Sequence, residues 1–345
     1  MNDRELGGVA AVEIRRGENV ESWHRIAACA SDASGSVLLA MGEIDRPVFL
    51  RSAAKPFIAA AAIAAGVREA FGLTMEEIAV MSASHSGEPF HVAAVRSILR
   101  KIDLDESALQ CGSHLPLDER SAHELIRAGM QPSAVHDNCS GKHAGILALT
   151  RVLGADPATY REPDHPAQRA ILDLCARACN DDAGLWPVAI DGCGIPVFAT
   201  PLRNAALAFA RFASLQGLPD RELQAFVVVR DAMLSHPEYV AGTGQFDTRL
   251  MAAAGGALAS KVGAEGVSGI ASMTAGLGFA LKVVDGASRA RPPAVLAGLR
   301  VLGALSESAQ AELTDFSEPI IYTRRGARAG EIRARIEMFA EARTG

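Results

Sequence analysis

Strand-like and helix-like segments occupy separate parts of this 345-residue chain. Short apolar runs typical of strands lie near both ends, at residues 8–14, 25–41 and 257–285, and helical periodicity fills most of the chain between them. The segment 25–41 is predicted to form a hairpin, and 257–285 a meander with glycine-rich turns. Because consecutive parallel strands need crossover helices, this separation favours an antiparallel sheet. The sequence therefore predicts the α+β class.

Further elements follow from the same periodicities. A short strand is predicted at 187–190, a helix at 293–304 and a final strand at 331–339, where apolar and polar residues alternate. The central helices are predicted at 53–66, 75–82, 88–101, 119–129, 140–154, 166–180, 202–216 and 219–235.

The chain contains no internal repeat, no low-complexity linker and no long run of charge. We therefore expect residues 1–345 to form a single catalytic unit. Its sheet would come from about 1–50 and 257–345, and a helical lobe from about 52–250 would be inserted between the two sheet halves.

Composition and charge exclude several kinds of partner. The net charge of −6 and the 5% aromatic content argue against nucleic-acid binding. The longest apolar run, at 56–67, is too short to span a membrane. The first ten residues carry acids and lack an apolar core, so no signal peptide is expected. We therefore predict a cytoplasmic protein whose six cysteines are thiols or ligands rather than disulfides.

Ser52 and Lys55 lie one helical turn apart at the start of a predicted helix. Only five of the 34 basic residues are lysines, so a lysine is rarely surface filler in this chain. A neutral lysine at this spacing could take the proton of the serine, and the helix N-terminus favours an oxyanion. The alternative is an N-cap serine beside a solvated lysine.

Three more segments carry groups with two interpretations each. Lys261 and Gly263 enter a late strand, as in the Lys-x-Gly motif of penicillin-binding serine enzymes, or form an ordinary strand end. The cluster 82–88, which contains Ser84, is either functional or a set of helix caps. The glycine-rich segment 242–244 offers either an anion cradle or a plain C-cap.

The densest polar cluster lies at residues 136–143, before an apolar helix. Its Cys139 would have a lowered pKa at a helix N-terminus. A second cysteine, Cys193, follows Asp191 in a glycine-rich loop. Three interpretations stay open: a nucleophilic cysteine beside a histidine, a zinc site that uses both thiols, and buried inert thiols.

Seven segments together resemble the L-asparaginases of the Rhizobium etli type. The block 138–143, Asn-Cys-Ser-Gly-Lys-His, is the most specific of them, and all seven run in the family's order across nearly the whole chain. They are RSAAKP (51–56), ASHSGEP (83–89), CGSHLP (111–116), HDNCSGKHAGILA (136–148), DGCGIP (191–196), HPEYVAGTGQFDT (236–248) and KVGAEG (261–266).

The resemblance implies a serine β-lactamase-like fold, shared with glutaminases, and hydrolysis of L-asparagine to L-aspartate and ammonia. It implies two Ser–Lys catalytic pairs, Ser52 with Lys55 and Ser84 with Lys261. It also implies a homodimer.

The resemblance further implies zinc as a cofactor, held by Cys139, Lys142 and Cys193. The role expected for zinc is substrate positioning, because the Ser–Lys pairs already supply a nucleophile and bases.

A pocket selective for asparagine must pair its α-carboxylate and its α-ammonium group, since unpaired buried charges are costly. Arg51 is our candidate for the carboxylate, and Asp191 for the ammonium. His136, Asn138 and Gly244 are predicted to complete the substrate site.

Three rival functions remain. One is a glutaminase or another small-amide hydrolase, and a second is a non-catalytic zinc-binding protein on the same fold. The third is an amidase that uses Cys139 as its nucleophile.

Overall fold

The computed structural model describes residues 7–344. Residues 1–6 and Gly345 lie outside the described residues. The start of the predicted sheet segment at about 1–50 and part of the N-terminal stretch in which no signal peptide was expected therefore lie outside them as well. Within 7–344 the strands are β1 (Val9–Arg16), β2 (Asn19–Asp32), β3 (Val37–Met41), β4 (Pro47–Phe49), β5 (Val188–Ile190), β6 (Pro196–Pro201), β7 (Leu258–Gly263), β8 (Val267–Ser272), β9 (Leu277–Val283), β10 (Ile320–Tyr322) and β11 (Arg328–Ala334).

The α-helices of the same range include every central helix predicted from the sequence. They are α1 (Lys55–Ala64), α2 (Val67–Phe71), α3 (Met75–Met81), α4 (Pro89–Lys101), α5 (Glu119–Arg127), α6 (Ser140–Val152), α7 (Pro166–Cys179), α8 (Leu202–Ser214), α9 (Asp220–Ser235), α10 (Pro237–Val240), α11 (Phe246–Ala253), α12 (Arg291–Val301), α13 (Glu307–Glu312), α14 (Thr314–Ser317) and α15 (Ile336–Glu341).

The main sheet joins strands from both ends of the described chain. Its order is β10-β11-β1-β2-β9-β8-β7, with β3 also paired to β2, and the neighbouring strands run antiparallel. Residues 26–31 of β2 are all buried, because β2 lies between β1, β3 and β9. The predicted α+β class, with an antiparallel sheet built from both chain ends, is confirmed.

The chain forms two compact units. The sheet unit comprises residues 7–53, 200–217 and 249–344, and the helical unit comprises 54–199 and 218–248. Helix α8, which the sequence analysis counted with the central helices, belongs to the sheet unit and packs on β2, β8 and β9.

Two helices form the buried centre of the helical unit. Every residue of α1 except the last is buried, and α1 packs against α6, α7 and α9. Most of α6 is buried as well. A helix that is apolar on all sides is typical of a core helix. Lys55 on α1 and Lys142 on α6 are therefore carried into the interior by helices that are otherwise mostly apolar.

The predicted final strand at 331–339 is wrong in its second half. Strand β11 ends at Ala334, and the last ladder bond runs from Arg335 N to the carbonyl oxygen of Ala11 at 2.8 Å. Continued alternation would bury Ile336, but Ile336 is 36% exposed and Phe339 is buried instead. The next buried apolar side chain, Phe339, therefore lies on a helix, α15.

None of the helices within residues 7–344 combines the length and the apolarity that a membrane crossing needs.

Candidate active site

Lys55 is enclosed by the helical unit at the first turn of α1. Its side chain is fully buried, and its Nζ donates hydrogen bonds to the carbonyl oxygen of Ala83 at 2.5 Å, to Ser84 Oγ at 3.1 Å and to Cys139 Sγ at 3.2 Å. Three acceptors match the three protons of an ammonium group. A buried lysine amine is therefore in direct contact with a serine hydroxyl and a thiol.

Ser84 lies in the segment between α3 and α4, which is fastened on two sides. The N–H of Ser84 donates to the carbonyl oxygen of Val240 at 3.0 Å, and the N–H of His85 donates to that of Asn138 at 3.1 Å. His85 Nε2 lies 2.8 Å from Ser140 Oγ and donates to it, because that hydroxyl donates to a backbone carbonyl. The loop that carries Ser84 is thus tied to the start of α6.

The three predicted metal ligands lie together in the helical unit. Lys142 Nζ donates to Cys193 Sγ at 2.8 Å, and the Cys193 thiol is hydrogen-bonded to Cys139. Cys139 is the N-cap residue of α6 with Lys142 one turn later, whereas Cys193 lies in the turn between β5 and β6. Because Cys139 also contacts Lys55, which contacts Ser84, the predicted metal ligands and Ser84 belong to one chain of side-chain contacts.

The charges of this cluster depend on one another. The hydrogen bond from Cys193 lowers the pKa of Cys139 well below its usual range despite burial, and Lys142 and Lys55 add to the effect. The same hydrogen bond, together with burial, raises the pKa of Cys193. Burial acts to lower the pKa of Lys142, but Cys139 and Cys193 raise it above its usual value. Without a metal, these shifts favour a thiolate on Cys139 and an ammonium group on Lys142.

The donor set of Cys139, Lys142 and Cys193 fits zinc in its chemistry. Zinc accepts sulfur and nitrogen ligands, and three protein ligands leave a fourth position for water or substrate. Within residues 7–344, no three His, Cys, Asp or Glu side chains are placed to share a metal ion. A metal bound here would therefore depend on the lysine, which must give up its proton to the solvent on binding.

The predicted substrate-binding residues of the helical unit are spread over several segments. His136 ends a 3-10 turn, accepts a hydrogen bond at Nδ1 from Ser133 N at 3.0 Å and borders an open pocket of about 460 Å³ between α4 and α5. Asp191 Oδ1 accepts from Gly192 N at 2.7 Å in the turn that carries Cys193.

Two further predicted substrate residues lie at or beside loops that contact the Ser84 segment. The backbone of Asn138 accepts from His85 and also donates to His114 Nε2 at 3.0 Å. Gly244 follows Thr243, whose N–H and hydroxyl both donate to the carboxylate of Glu88, at 2.8 and 2.7 Å. The carboxylate of Glu88 thus holds this loop beside the Ser84 segment.

Arg51, Ser52 and Lys261 belong to the sheet unit. Arg51 and Ser52 lie in a 3-10 helix, and Arg51 has a φ of +50°, a conformation that non-glycine residues rarely adopt. Lys261 is fully buried on β7, with its Nζ donating to the carbonyl oxygen of Val262 at 2.9 Å.

Strand β7 passes very close to the segment that carries Ser52. A methyl group on Gly263 would lie 2.5 Å from the carbonyl oxygen of Leu50. Because alternate residues of a strand share a face, Lys261 leaves β7 on the same side as Gly263. The sheet unit holds Ser52 and Lys261, and the helical unit holds Ser84 and Lys55. Each predicted Ser–Lys pair therefore consists of one residue from each unit.

Sequence reasoning missed several buried groups of the helical unit. His91 accepts from Glu88 N, donates to the carbonyl oxygen of Glu238 at 2.9 Å and stacks on His85. The hydroxyl of Tyr160 lies 2.7 Å from His143 Nδ1. Such partners are distant in sequence, and no local spacing indicates them.

Comparison with known proteins places the chain in a family. The family described as L-asparaginase II matches residues 12–334. A comparison with curated protein sequences found no match.

Among solved structures, the native form of Mglu is similar at 16% identity, with 90% of this chain and 68% of that chain covered and a TM-score of 0.38. Its L-glutamate binding form at 4.3 M NaCl gives 15% identity, coverage of 83% and 63%, and a TM-score of 0.37. This chain thus spans about two thirds of the length of the Mglu structures.

The family match extends over both units, from β1 to the last residue of β11. It includes the segments that carry the serines, lysines and cysteines described above. The chain therefore belongs to the L-asparaginase II family and is a hydrolase that acts on amides.

Proposed function

We propose that the protein hydrolyses L-asparagine to L-aspartate and ammonia by Ser–Lys nucleophilic catalysis, as an asparaginase of the Rhizobium etli type. The observation that carries the proposal is the contact of the buried Lys55 amine with Ser84 Oγ at 3.1 Å, beside a pair of thiols. The contacts of Nζ with Ala83, Ser84 and Cys139 hold the amine within reach of a serine hydroxyl, as a lysine base requires.

The proposed reaction has two stages. In the first, neutral Lys55 takes the proton of a serine hydroxyl, and the serine oxygen attacks the side-chain amide carbon of asparagine. The tetrahedral oxyanion collapses, the nitrogen leaves as ammonia with a proton from the lysine, and an acyl-enzyme remains. In the second, water attacks the ester with lysine as base and releases aspartate.

Ser52 and Ser84 compete for the role of the acylated residue. Ser52 is the nucleophile expected from its spacing to Lys55 at the start of α1. Ser84 is the hydroxyl that Lys55 contacts. We propose that Ser52 is the acylated residue with Lys55 as its base, and that Ser84 and Lys261 form the second Ser–Lys pair.

Zinc, held by Cys139, Lys142 and Cys193, completes the proposal. When bound, zinc would supply a fixed Lewis-acidic charge for orienting a polar substrate. The proposed ligand Cys139 also contacts the proposed base, because Cys139 Sγ accepts from Lys55 Nζ at 3.2 Å.

The test is ammonia release from L-asparagine and L-glutamine, followed by intact-mass measurement of the acyl-enzyme. We expect asparagine to be favoured by at least about tenfold, because one methylene is worth about 1–3 kcal/mol in a fitted pocket. Ser52→Ala should remove the acyl-enzyme mass, whereas Ser84→Ala should slow its formation. A preference for glutamine would contradict asparagine as the substrate. An acyl-enzyme formed by the Ser52→Ala variant would contradict Ser52 as the nucleophile.

A cysteine nucleophile is the alternative that the low pKa of Cys139 favours. Peptide mapping of the acyl-enzyme distinguishes it, since an acyl group on Cys139 would support the thiol and one on Ser52 would exclude it. The homodimer and the cytoplasmic location stay predictions, the first open to sedimentation analysis of the purified chain.

A further inference from the structure

A hydrogen-bond network runs from the buried helix α6 to half-buried residues beside the turn that carries Cys193. The Tyr160 hydroxyl shares a 2.7 Å hydrogen bond with His143 Nδ1 and accepts from Gln110 N at 2.8 Å. The side chain of Gln110 in turn accepts from Arg161 Nε at 2.5 Å. Tyr160 and His143 are fully buried. One end of the network is therefore part of the interior, whereas Gln110 and Arg161 are half-buried.

One end of the network lies at the helix that carries two of the proposed zinc ligands. His143 follows Lys142 directly, and its N–H donates to the carbonyl oxygen of Cys139 at 3.0 Å. Cys139, Lys142 and His143 are thus successive contributors to one face of the first turn of α6. Any shift of His143 moves the backbone that carries both ligands.

The other end lies against the turn that carries the third ligand. Arg161 packs over Gly194, where a methyl group would lie 2.4 Å from Arg161 Nη1. Gly194 has a φ of +84°, and its N–H donates to the carbonyl oxygen of Asp191 at 2.8 Å to close the turn. The guanidinium group therefore covers the residue next to Cys193 and limits how the turn can move.

Two further hydrogen bonds hold the side chain of Gln110 and the backbone of Tyr160. Gln110 Nε2 donates to the carbonyl oxygen of Ala158 at 2.9 Å, and Gln168 Nε2 donates to that of Tyr160 at 2.8 Å. Arg161 forms no ion pair with the residues that the structure describes, so no carboxylate draws its guanidinium group away from the turn.

The Cys193 turn needs such support. It joins β5 and β6, and the three residues of β5 are all exposed, Ile190 by 64%. Cys193 itself and most of β6 are buried, so packing supports the turn from the β6 side but not from the β5 side. In metal sites, the partners behind the ligands fix the ligand orientation, and their removal costs about 10–100-fold in metal affinity.

We propose that Tyr160, Gln110 and Arg161 are positioning residues that hold the Cys193 turn at the distance from α6 at which Cys139 and Lys142 can share one zinc ion with it. The inference rests on the proposed zinc site, but it concerns residues outside the proposed ligand set.

The test is zinc affinity, measured on the purified full chain by competition with a chromophoric chelator. Tyr160→Phe and Arg161→Met should each weaken zinc binding by about 10–100-fold. Arg161→Lys, which keeps the charge, should recover part of the loss. The matched control is Arg169→Met, since Arg169 pairs with Asp164 on the surface of the same unit. Loading with Co²⁺ adds a readout of geometry, because a displaced thiolate weakens the sulfur-to-cobalt absorption band.

Each outcome decides the inference. Weaker zinc binding and a weaker cobalt band, with the thermal unfolding of the metal-free variants unchanged, support it. Wild-type affinity in both variants overturns it while leaving the zinc site intact. If the metal-free variants unfold at lower temperature and lose zinc affinity only in proportion to that loss of stability, the network has a purely structural role and the inference is overturned. A wild type that binds no zinc overturns the ligand set of the proposed function, and this inference with it.

Discussion

Lys55 shows how a helix that is otherwise apolar places a single amine inside a protein. The neighbouring residues of α1 are alanine, isoleucine, phenylalanine and proline, and Lys55 is the one charged side chain among them. The amine cannot reach water, so its three acceptors, the Ala83 carbonyl, Ser84 and Cys139, replace the hydration shell. The identity of those acceptors therefore decides what the amine can do.

The buried imidazole of His91 is expected to make the free energy of unfolding depend on pH. Burial lowers its pKa from the usual 6.5 to about 4, so the folded protein keeps a neutral imidazole where the unfolded chain takes up a proton. The stabilisation is complete above pH 6.5 and is lost as the pH falls towards 4. The free energy of unfolding should fall by up to about 3 kcal/mol over this interval.

Urea denaturation at pH 7 and pH 5 measures this effect. His91→Gln should be less stable than wild type at pH 7, because it loses a buried hydrogen bond, and should show a shallower decline with acid. His123→Gln, an exposed change on α5, is the control. An equal decline in wild type and His91→Gln would contradict the assignment.

The residues of the candidate site could be named from the sequence, but their partners could not. Ser-x-x-Lys spacing indicates Ser52 and Lys55, yet the lysine contacts Ser84. The spacing describes one helix face, whereas the contact depends on how α1 packs against the loop that follows α3. Contacts of that kind depend on tertiary packing that no local pattern contains.

At the scale of elements, the helices that carry the site are packed without spare room. A methyl group on Gly141 of α6 would lie 2.2 Å from the carbonyl oxygen of Val80 at α3. A methyl group on Gly145, one turn later, would lie 2.9 Å from the side chain of Met81. A backbone carbonyl cannot give way, whereas methionine adapts to a changed space.

Two alanine substitutions separate these cases. Gly141→Ala should destabilise the protein by about 1–3 kcal/mol or more and should displace Cys139 and Lys142, because α6 must move away from α3. Gly145→Ala should be nearly neutral, since the gain in helix propensity offsets the repacking of Met81. Thermal unfolding of both variants checks the order, and equal losses would refute the close packing of α6 on α3.

The elements themselves were largely predictable because periodicity is a local property. Predicted helices such as 75–82 and 166–180 match α3 and α7 to within one residue. The final strand failed because alternation in 331–339 continues past the point where β11 leaves the sheet. The placement of α8 in the sheet unit likewise depends on long-range packing, on β2, β8 and β9.

At the scale of the molecule, each unit carries one serine and one lysine of the proposed machinery. Ser84 and Lys55 belong to the helical unit, and Ser52 and Lys261 to the sheet unit. A chain of net charge −6 offers no general attraction for anions, so a substrate carboxylate would have to be bound by individual cations.

Removal of zinc is expected to lower both the activity and the stability of the whole protein. After dialysis against a chelator, activity should fall and the unfolding temperature should drop, and added Zn²⁺ should restore both, because a ligand that binds the folded state stabilises it. Cys193→Ser should lose the response to zinc, whereas Cys175→Ser, a buried thiol on α7 outside the cluster, should keep it. Full activity and unchanged unfolding after metal removal would contradict a zinc role.

The most direct measurement is the rate of ammonia release from L-asparagine by Lys55→Met beside wild type. Methionine keeps the length of the side chain and removes the base, so kcat should fall by about 10²–10⁴-fold, the range that general bases supply. Lys101→Met, which removes a lysine that pairs with Glu77, should remain within a few-fold of wild type. A folded Lys55→Met variant that releases ammonia at the wild-type rate would contradict the account.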